Sequence, residues 1–338
     1  MRNTTINLQS DLKSVVCAFR DKYFDSDCFK MYPLVSNADL IRSTLIREMS
    51  GESTNDHVGN IALHRKIGFI GGGNMAKAIC EGIVSKGLVE YSQIHVSGPN
   101  MTNLVSWRDE GAHVYTQNGA IVDECDVIFI SVKPHKLAGA IANMYGTLKI
   151  PNPRSKLFVS IVAGVTINQL ENVLGRIYAR IIRVMPNTPM MVGEGCTVFT
   201  PGSKATVHDI KTVETMLSTG GICKQVPESL INAVGALSGS GTAFVYLMIE
   251  ALVDGGANMG IPRAMALEFA TKTVLGSAKM VKQIGKHPAQ LKDEVCPSGG
   301  TTIAGVHALE KGGVRAALMD AVEVATKKAD ELGVKKHV

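Results

Sequence analysis

A short apolar strand that stops at a run of glycines and leads straight into a helical pattern limits this fold more than any other feature. Lys66-Ile67-Gly68-Phe69-Ile70 carries the strand, and Gly71-Gly72-Gly73 ends it. Met75, Ala78, Ile79, Ile83 and Val84 then recur at helical spacing. Within the join, Gly71-x-Gly73-x-x-Ala76 has the spacing of a dinucleotide fingerprint. Gly71 permits the tight turn, Gly73 lets a pyrophosphate approach the backbone, and Ala76 lets the helix pack close to the sheet. The N–H groups at the helix start suit an anion.

The alternation continues. Strand patterns occupy 93–96, 113–116, 127–131, 157–162 and 180–185, with helical patterns such as 101–110 between them. The run 127–130 is apolar on both faces, as in a sheet covered on both sides. The fold class expected is therefore an α/β Rossmann domain with a mostly parallel sheet. After Glu228 strand signals nearly vanish, and helical patterns cover 241–259, 263–284 and 300–332. A length of 338 residues suits two domains at roughly 100–200 residues each. The division expected is 66–227 for the Rossmann domain and 228–338 for an all-helical domain. Residues 1–65 read as a poorly ordered extension that ends in the Gly-, Ser-, Asn- and Asp-rich stretch 50–60.

Composition excludes several classes. The formal charge is +5 with no basic block, which gives no footprint for nucleic acid. The seven cysteines are scattered without metal spacing, so no metal site is expected and a reducing compartment is. The longest apolar run, 243–253, contains Glu250 and is short for a membrane span, so no membrane is expected. A core helix explains it, covered either by its own bundle or by a second subunit. Asp21, Asp25 and Asp27 do not fit an acid-poor presequence. Cytoplasm is the compartment expected, with mitochondria as the alternative.

Cofactor choice depends on the end of the second strand. An NAD enzyme carries an acid there to hold the ribose 2′-hydroxyl. Here the loop is Ser97-Gly98-Pro99-Asn100, with no acid and with two side chains able to donate. NADPH is expected, with NADH as the alternative. Val132-Lys133-Pro134-His135 follows the fourth strand, at the sheet edge where ligands bind. Lys133 reads either as a surface lysine or as part of that site, and His135 as structural.

Further segments follow in a fixed order: Ala163-Gly164-Val165-Thr166-Ile167, Arg183-Val184-Met185-Pro186-Asn187-Thr188-Pro189, Leu237-Ser238-Gly239-Ser240-Gly241, Asp254-Gly255-Gly256 and Gly299-Gly300-Thr301-Thr302. With the glycine loop and Val132–His135, the series resembles the pyrroline-5-carboxylate reductases over roughly 66–332. That resemblance implies hydride transfer from NAD(P)H to the C5 imine carbon of 1-pyrroline-5-carboxylate, giving L-proline. It implies a helical domain that dimerises by interlocking, and dimers that assemble into larger rings such as decamers. The cofactor residues it implies are Gly71, Gly73, Asn74, Met75, Asn100, Asn118, Val132, Lys133, Pro134 and Ala163. Ser97 and Gly98 join them from the loop reading above. On the substrate side it implies Glu228 and the turn Ser298, Gly299, Gly300, Thr301 and Thr302.

The substrate carries a carboxylate and an imine. The turn opens a helix, whose N–H groups and dipole favour an anion. The imine nitrogen needs a proton: either the Thr302 hydroxyl hydrogen-bonds it, or solution protonates the imine before binding. The family usually reads Ser-Pro before the two glycines, whereas this chain has Pro297-Ser298. Glu294 replaces a polar amide, and Thr242 and Phe244 stand in a segment that often reads Pro-Ala-Tyr. Two rivals remain. One is a reductase of another cyclic imine or of a 2-hydroxy acid, though acid dehydrogenases of this architecture use a lysine that 239–246 lacks; the other, a non-catalytic dinucleotide-binding module, rests only on the altered Pro297-Ser298 order.

Overall fold

The computed structural model describes residues 65–150 and 155–334. The expected extension therefore lies outside the described residues, apart from Arg65. The sheet half comprises β1 (Ile67–Ile70), α1 (Asn74–Ser85), β2 (Ile94–Ser97), α2 (Val105–Asp109), β3 (His113–Tyr115), α3 (Gly119–Glu124), β4 (Val127–Ile130), α4 (Leu137–Thr147), β5 (Lys156–Ser160), α5 (Ile167–Val173), β6 (Ala179–Met185), β7 (Gly195–Pro201), α6 (Val207–Leu217) and β8 (Gly221–Gln225). The helical half follows with α7 (Glu228–Val234), a π-helical turn at Gly235–Ser240, α8 (Gly241–Asn258), α9 (Arg263–Ile284), α10 (Pro288–Glu294), α11 (Thr301–Lys311) and α12 (Val314–Val334).

The eight strands lie in the order β3-β2-β1-β4-β5-β6-β7-β8. Pairing is parallel from β3 through β6, and β7 turns antiparallel against β6. β1 sits between β2 and β4, so the chain leaves β1 on one side and returns on the other. That reversal opens a crevice at the carboxyl ends of the strands. One core packs α1, Trp107 and α6 against the sheet. A second packs α3, α4 and α5 against the opposite face.

Several expectations change. β7 and β8 were not expected. Gly195-Cys196-Thr197 mixes small and polar residues, and β8 is an edge strand with Ile222, Lys224 and Gln225 exposed, so neither reads as a buried run. The pattern at 101–110 divides into a 3₁₀ turn, Met101–Leu104, and the short α2. The pattern at 300–332 breaks at Gly312-Gly313, where Gly313 adopts φ +71°, into α11 and α12.

The apolar helix is also longer than expected. The π turn joins α7 to α8, and the run Glu228–Asn258 is long and apolar enough, by length and composition, to cross a membrane. Only 11% of its most apolar window is buried. Its own bundle therefore does not cover it. Val253 is the buried residue of α8 and Ala266 that of α9, whereas Leu247 and Met259 are 66% and 80% exposed. A bare apolar surface of this extent marks an interface.

His95 on β2 gives the sheet half a pH dependence. Its ring is 3% exposed, stacks on His113 at 4.7 Å and places Nδ1 3.0 Å from the Tyr115 hydroxyl. Nε2 has no partner among the described residues. Burial, helped by His113 and Lys66, pushes the imidazole from 6.5 down to about 4. Between those values the unfolded chain binds a proton that the folded chain does not. The contribution of His95 to stability is thus fully present above pH 6.5 and is lost as pH falls toward 4. The thermal midpoint should drop between pH 7 and pH 5, and His95→Phe should flatten that slope. An unaltered slope in the variant would assign the effect to other groups.

Candidate active site

The loop after β1 is shaped by its neighbours. Gly71 has φ +103°, and its N–H donates to the Ser97 carbonyl at 2.9 Å. A Cβ there would meet the Ser131 carbonyl oxygen at 2.8 Å. One on Gly72 would meet Leu104 Cδ2 at 2.8 Å and Trp107 Nε1 at 2.9 Å, a requirement that the fingerprint spacing does not reveal. Gly73 differs, since a Cβ there would have nothing within 4 Å. It is the extended N-cap of α1, and no side chain caps that helix or places an acid in its first turn. Gly73 and Asn74 are exposed and Met75 is half-buried. An open approach to uncapped N–H groups fits a pyrophosphate.

Sheet register places the other loops beside this one. Ile70 pairs with Ser97 and with Ile130, and Ile130 with Ser160. The segments Ser97–Asn100, Val132–Pro134 and Ile161–Ala163 therefore leave one sheet edge together. Val132, Pro134 and Ala163 are half-buried, and Lys133 is exposed with no ion-pair partner among the described residues. Asn100 is exposed, and its Oδ1 accepts the Thr102 N–H at 2.9 Å. Its amide nitrogen stays open to a ligand.

Three of the expected cofactor residues are hydrogen-bonded within the fold. Ser97 is fully buried, and its hydroxyl donates to Asn118 Oδ1 at 2.8 Å. Gly98 is buried, and its N–H donates to the Tyr115 carbonyl. Asn118 is 8% exposed, and its Nδ2 donates to the Ala140 carbonyl at 2.9 Å. Buried polar groups must pair internally, and these three brace the crevice from behind.

A second helix start repeats the geometry of the first. Gly299 has φ +68°, and Gly300 is the N-cap of α11 with φ −79° and ψ 170°. The corresponding angles at Gly73 are −76° and 177°. No side chain caps α11 either. Ser298, Gly299, Thr301 and Thr302 are exposed. The Pro297 carbonyl accepts the Gly300 N–H at 3.1 Å and closes the turn, and no side chain caps α11. Glu294 is engaged by Lys286 at 2.7 Å. α11 packs chiefly on α12, and no hydrogen bond or ion pair joins this turn to the glycine loop among the described residues.

Comparison with known proteins decides the family. Residues 228–332 match the family model described as pyrroline-5-carboxylate reductase dimerisation, and residues 66–164 match that of NADP oxidoreductase, coenzyme F420-dependent. Pyrroline-5-carboxylate reductase 3 of Danio rerio is 43% identical over 80% of this chain and 92% of its own length. Pyrroline-5-carboxylate reductase of Arabidopsis thaliana is 42% identical over 79% and 95%. The chain belongs to the pyrroline-5-carboxylate reductase family. The pyrroline carboxylate reductase of Plasmodium falciparum, solved with NADP bound, superposes with a TM-score of 0.72 at 32% identity, covering 80% of this chain and 98% of that one. The bare helices α8 to α12 lie in the segment that matches the dimerisation model, so this half of the reductase serves oligomerisation.

Within this reductase fold, Glu228 has a structural role that its sequence position does not reveal. Its Oε1 accepts from Arg183 Nη1 at 2.8 Å and from the Ile167 N–H at 2.7 Å. Arg183 is 3% exposed, and its Nη2 donates to Asn232 Oδ1 at 2.7 Å. Asn232 donates in turn to Asp330 at 2.7 Å. A buried guanidinium needs a countercharge, and Glu228 supplies it. Sequence reasoning gave Arg183 and Asn187 no function beyond their motif. Asn187 is 7% exposed, accepts the Cys196 N–H at 2.7 Å and donates to the Ser238 carbonyl at 3.1 Å, tying β7 to the π turn. Glu228→Gln should cost about 2 kcal/mol of stability, less than a fully buried pair because Glu228 is partly exposed. Its KM for the imine should stay near wild type. A large KM change without a stability loss would return Glu228 to the substrate site.

Proposed function

We propose that this chain reduces 1-pyrroline-5-carboxylate to L-proline, the last step of proline biosynthesis, with NADPH as hydride donor and NADH as the weaker alternative. The observation that carries the proposal is the pair of uncapped, glycine-started helices. α1 suits a dinucleotide diphosphate and α11 suits a substrate carboxylate. Family membership supplies the substrate, and the relative solved with NADP bound supports the cofactor.

The bound nicotinamide supplies the hydride, and the chain's own task is positioning. Gly71, Gly73, Asn74 and Met75 hold the diphosphate. Asn100 offers its amide to the 2′-phosphate, where no acid repels it. Val132, Lys133, Pro134 and Ala163 border the nicotinamide half. Ser298, Gly299, Gly300 and Thr301 hold the carboxylate at the positive end of α11. The imine nitrogen must gain a proton, and the Thr302 hydroxyl orients it by hydrogen bond while solvent delivers the proton. The turn at 298–302 reaches the crevice of a second protomer. This reading is supported by the lack, among the described residues, of any hydrogen bond or ion pair from the turn to its own glycine loop. The smallest unit is then a homodimer covering the bare faces of α8 and α9, and such dimers build a larger ring such as a decamer.

The test is loss of NADPH absorbance with racemic 1-pyrroline-5-carboxylate, with proline identified as product and NADH run in parallel. Turnover faster with NADPH is expected. Thr302→Ala should lower kcat about tenfold, the worth of one hydrogen bond to a charged group, and leave the NADPH KM little changed. An unchanged kcat removes Thr302 from the reaction. NADPH bound but never consumed with this imine refutes the assignment.

A further inference from the structure

The glycine loop has an outer fastening that the fingerprint does not include. Its carbonyls are engaged one after another by donors from outside the loop. Ile70 O accepts the Ser131 N–H at 2.9 Å. Gly71 O accepts the Ser131 hydroxyl at 2.6 Å. Gly72 O accepts Trp107 Nε1 at 3.2 Å. Gly73 O accepts the Lys77 N–H at 3.0 Å, the first turn of α1.

The order matters because of peptide geometry. In a trans peptide the carbonyl of one residue points opposite to the N–H of the next. Holding Gly71 O and Gly72 O outward therefore turns the N–H groups of Gly72 and Gly73 the other way. Three consecutive glycines have little intrinsic preference against a peptide flip. A flip would present a carbonyl oxygen, rather than an N–H, to an anion.

Both fastening groups are themselves well held. Trp107, the chain's single tryptophan, is 1% exposed, packs on Phe69 at 5.6 Å between ring centroids and carries Lys77 Nζ 4.8 Å from its ring. Ser131 is fixed by its own backbone bond to β1, and its carbonyl crowds Gly71 so closely that only glycine fits.

We propose that Ser131 and Trp107 are positioning residues for the cofactor: by holding the carbonyls of Gly71 and Gly72 outward, they aim the adjoining N–H groups at its diphosphate. The inference rests on the reading that this loop binds a dinucleotide. Neither residue touches the reacting atoms, and both act through the loop.

The test uses the full-length oligomer and calorimetric Kd values for two probes. NADPH carries the diphosphate, and adenosine 2′-monophosphate lacks it. Ser131→Ala and Trp107→Phe should each weaken NADPH about fivefold, the worth of one neutral hydrogen bond, and leave the monophosphate unaffected. Ser131→Thr, which keeps the hydroxyl, should restore NADPH binding. Ser131 is only half-buried, so Ser131→Ala keeps the test open if Trp107→Phe does not fold. NADPH affinity unchanged in Ser131→Ala overturns the proposal. So does equal weakening of both probes, which would indicate general loosening. A wild-type chain that binds adenosine 2′-monophosphate and NADPH equally well, or binds neither, refutes the dinucleotide reading itself and this inference with it.

Discussion

A single buried guanidinium sets where the two halves of this protein meet. Arg183 lies on β6 at 3% exposure, and an unpaired charge there would cost several kcal/mol. Its partners, Glu228 and Asn232, lie one turn apart on α7, and Asn232 passes the link on to Asp330 near the end of α12. Glu228 also takes the N–H of Ile167 at the start of α5. The first and last helices of the helical half are thereby fastened to the sheet, and Asn187 adds a tie at the π turn. The π turn continues α7 into α8 without a break, so the direction of the long apolar helix follows from the same anchor.

That anchor leaves the rest of the helical half without cover. Packing is dense around both faces of the sheet and sparse along α8 to α11. A protomer with Leu247 and Met259 largely in solvent is incomplete as a folded unit, since burial of apolar surface is the main favourable term in folding. The helices most in need of a partner also present the turn 298–302. In the proposed function, oligomerisation and completion of the site answer the same physical need.

Much of this was readable before any coordinates. Strands buried on both faces, such as Val127–Ile130 and Leu157–Ser160, show as continuous apolar runs, and the glycine spacing marks the join to α1. β7 and β8 escaped because their polar and small residues break the runs, and β8 lies on an exposed edge. Site residues were harder for a different reason. Sequence records that Ser97 can donate but not whether its hydroxyl turns inward, and only the packing of β2 against Asn118 decides that. The structural role of Glu228 is hidden in the same way, because its partner arginine stands 45 residues earlier in the chain. Trp107 belongs to no motif, and its bond to Gly72 exists only once α2 folds over the loop.

The central claim is that two anion-holding helix starts, Gly73 on one protomer and Gly300 on another, form one active site. Subunit complementation tests it most directly. Gly73→Asp and Gly300→Asp each give a helix the cap it lacks and put a carboxylate where an anion should bind. Each variant alone should be inactive. Reassembled as a mixture, half the dimers would be mixed, and one site in each of those would combine two intact surfaces, restoring about a quarter of wild-type activity. A mixture no more active than its separate components would contradict the account and place both helix starts of each site within a single chain.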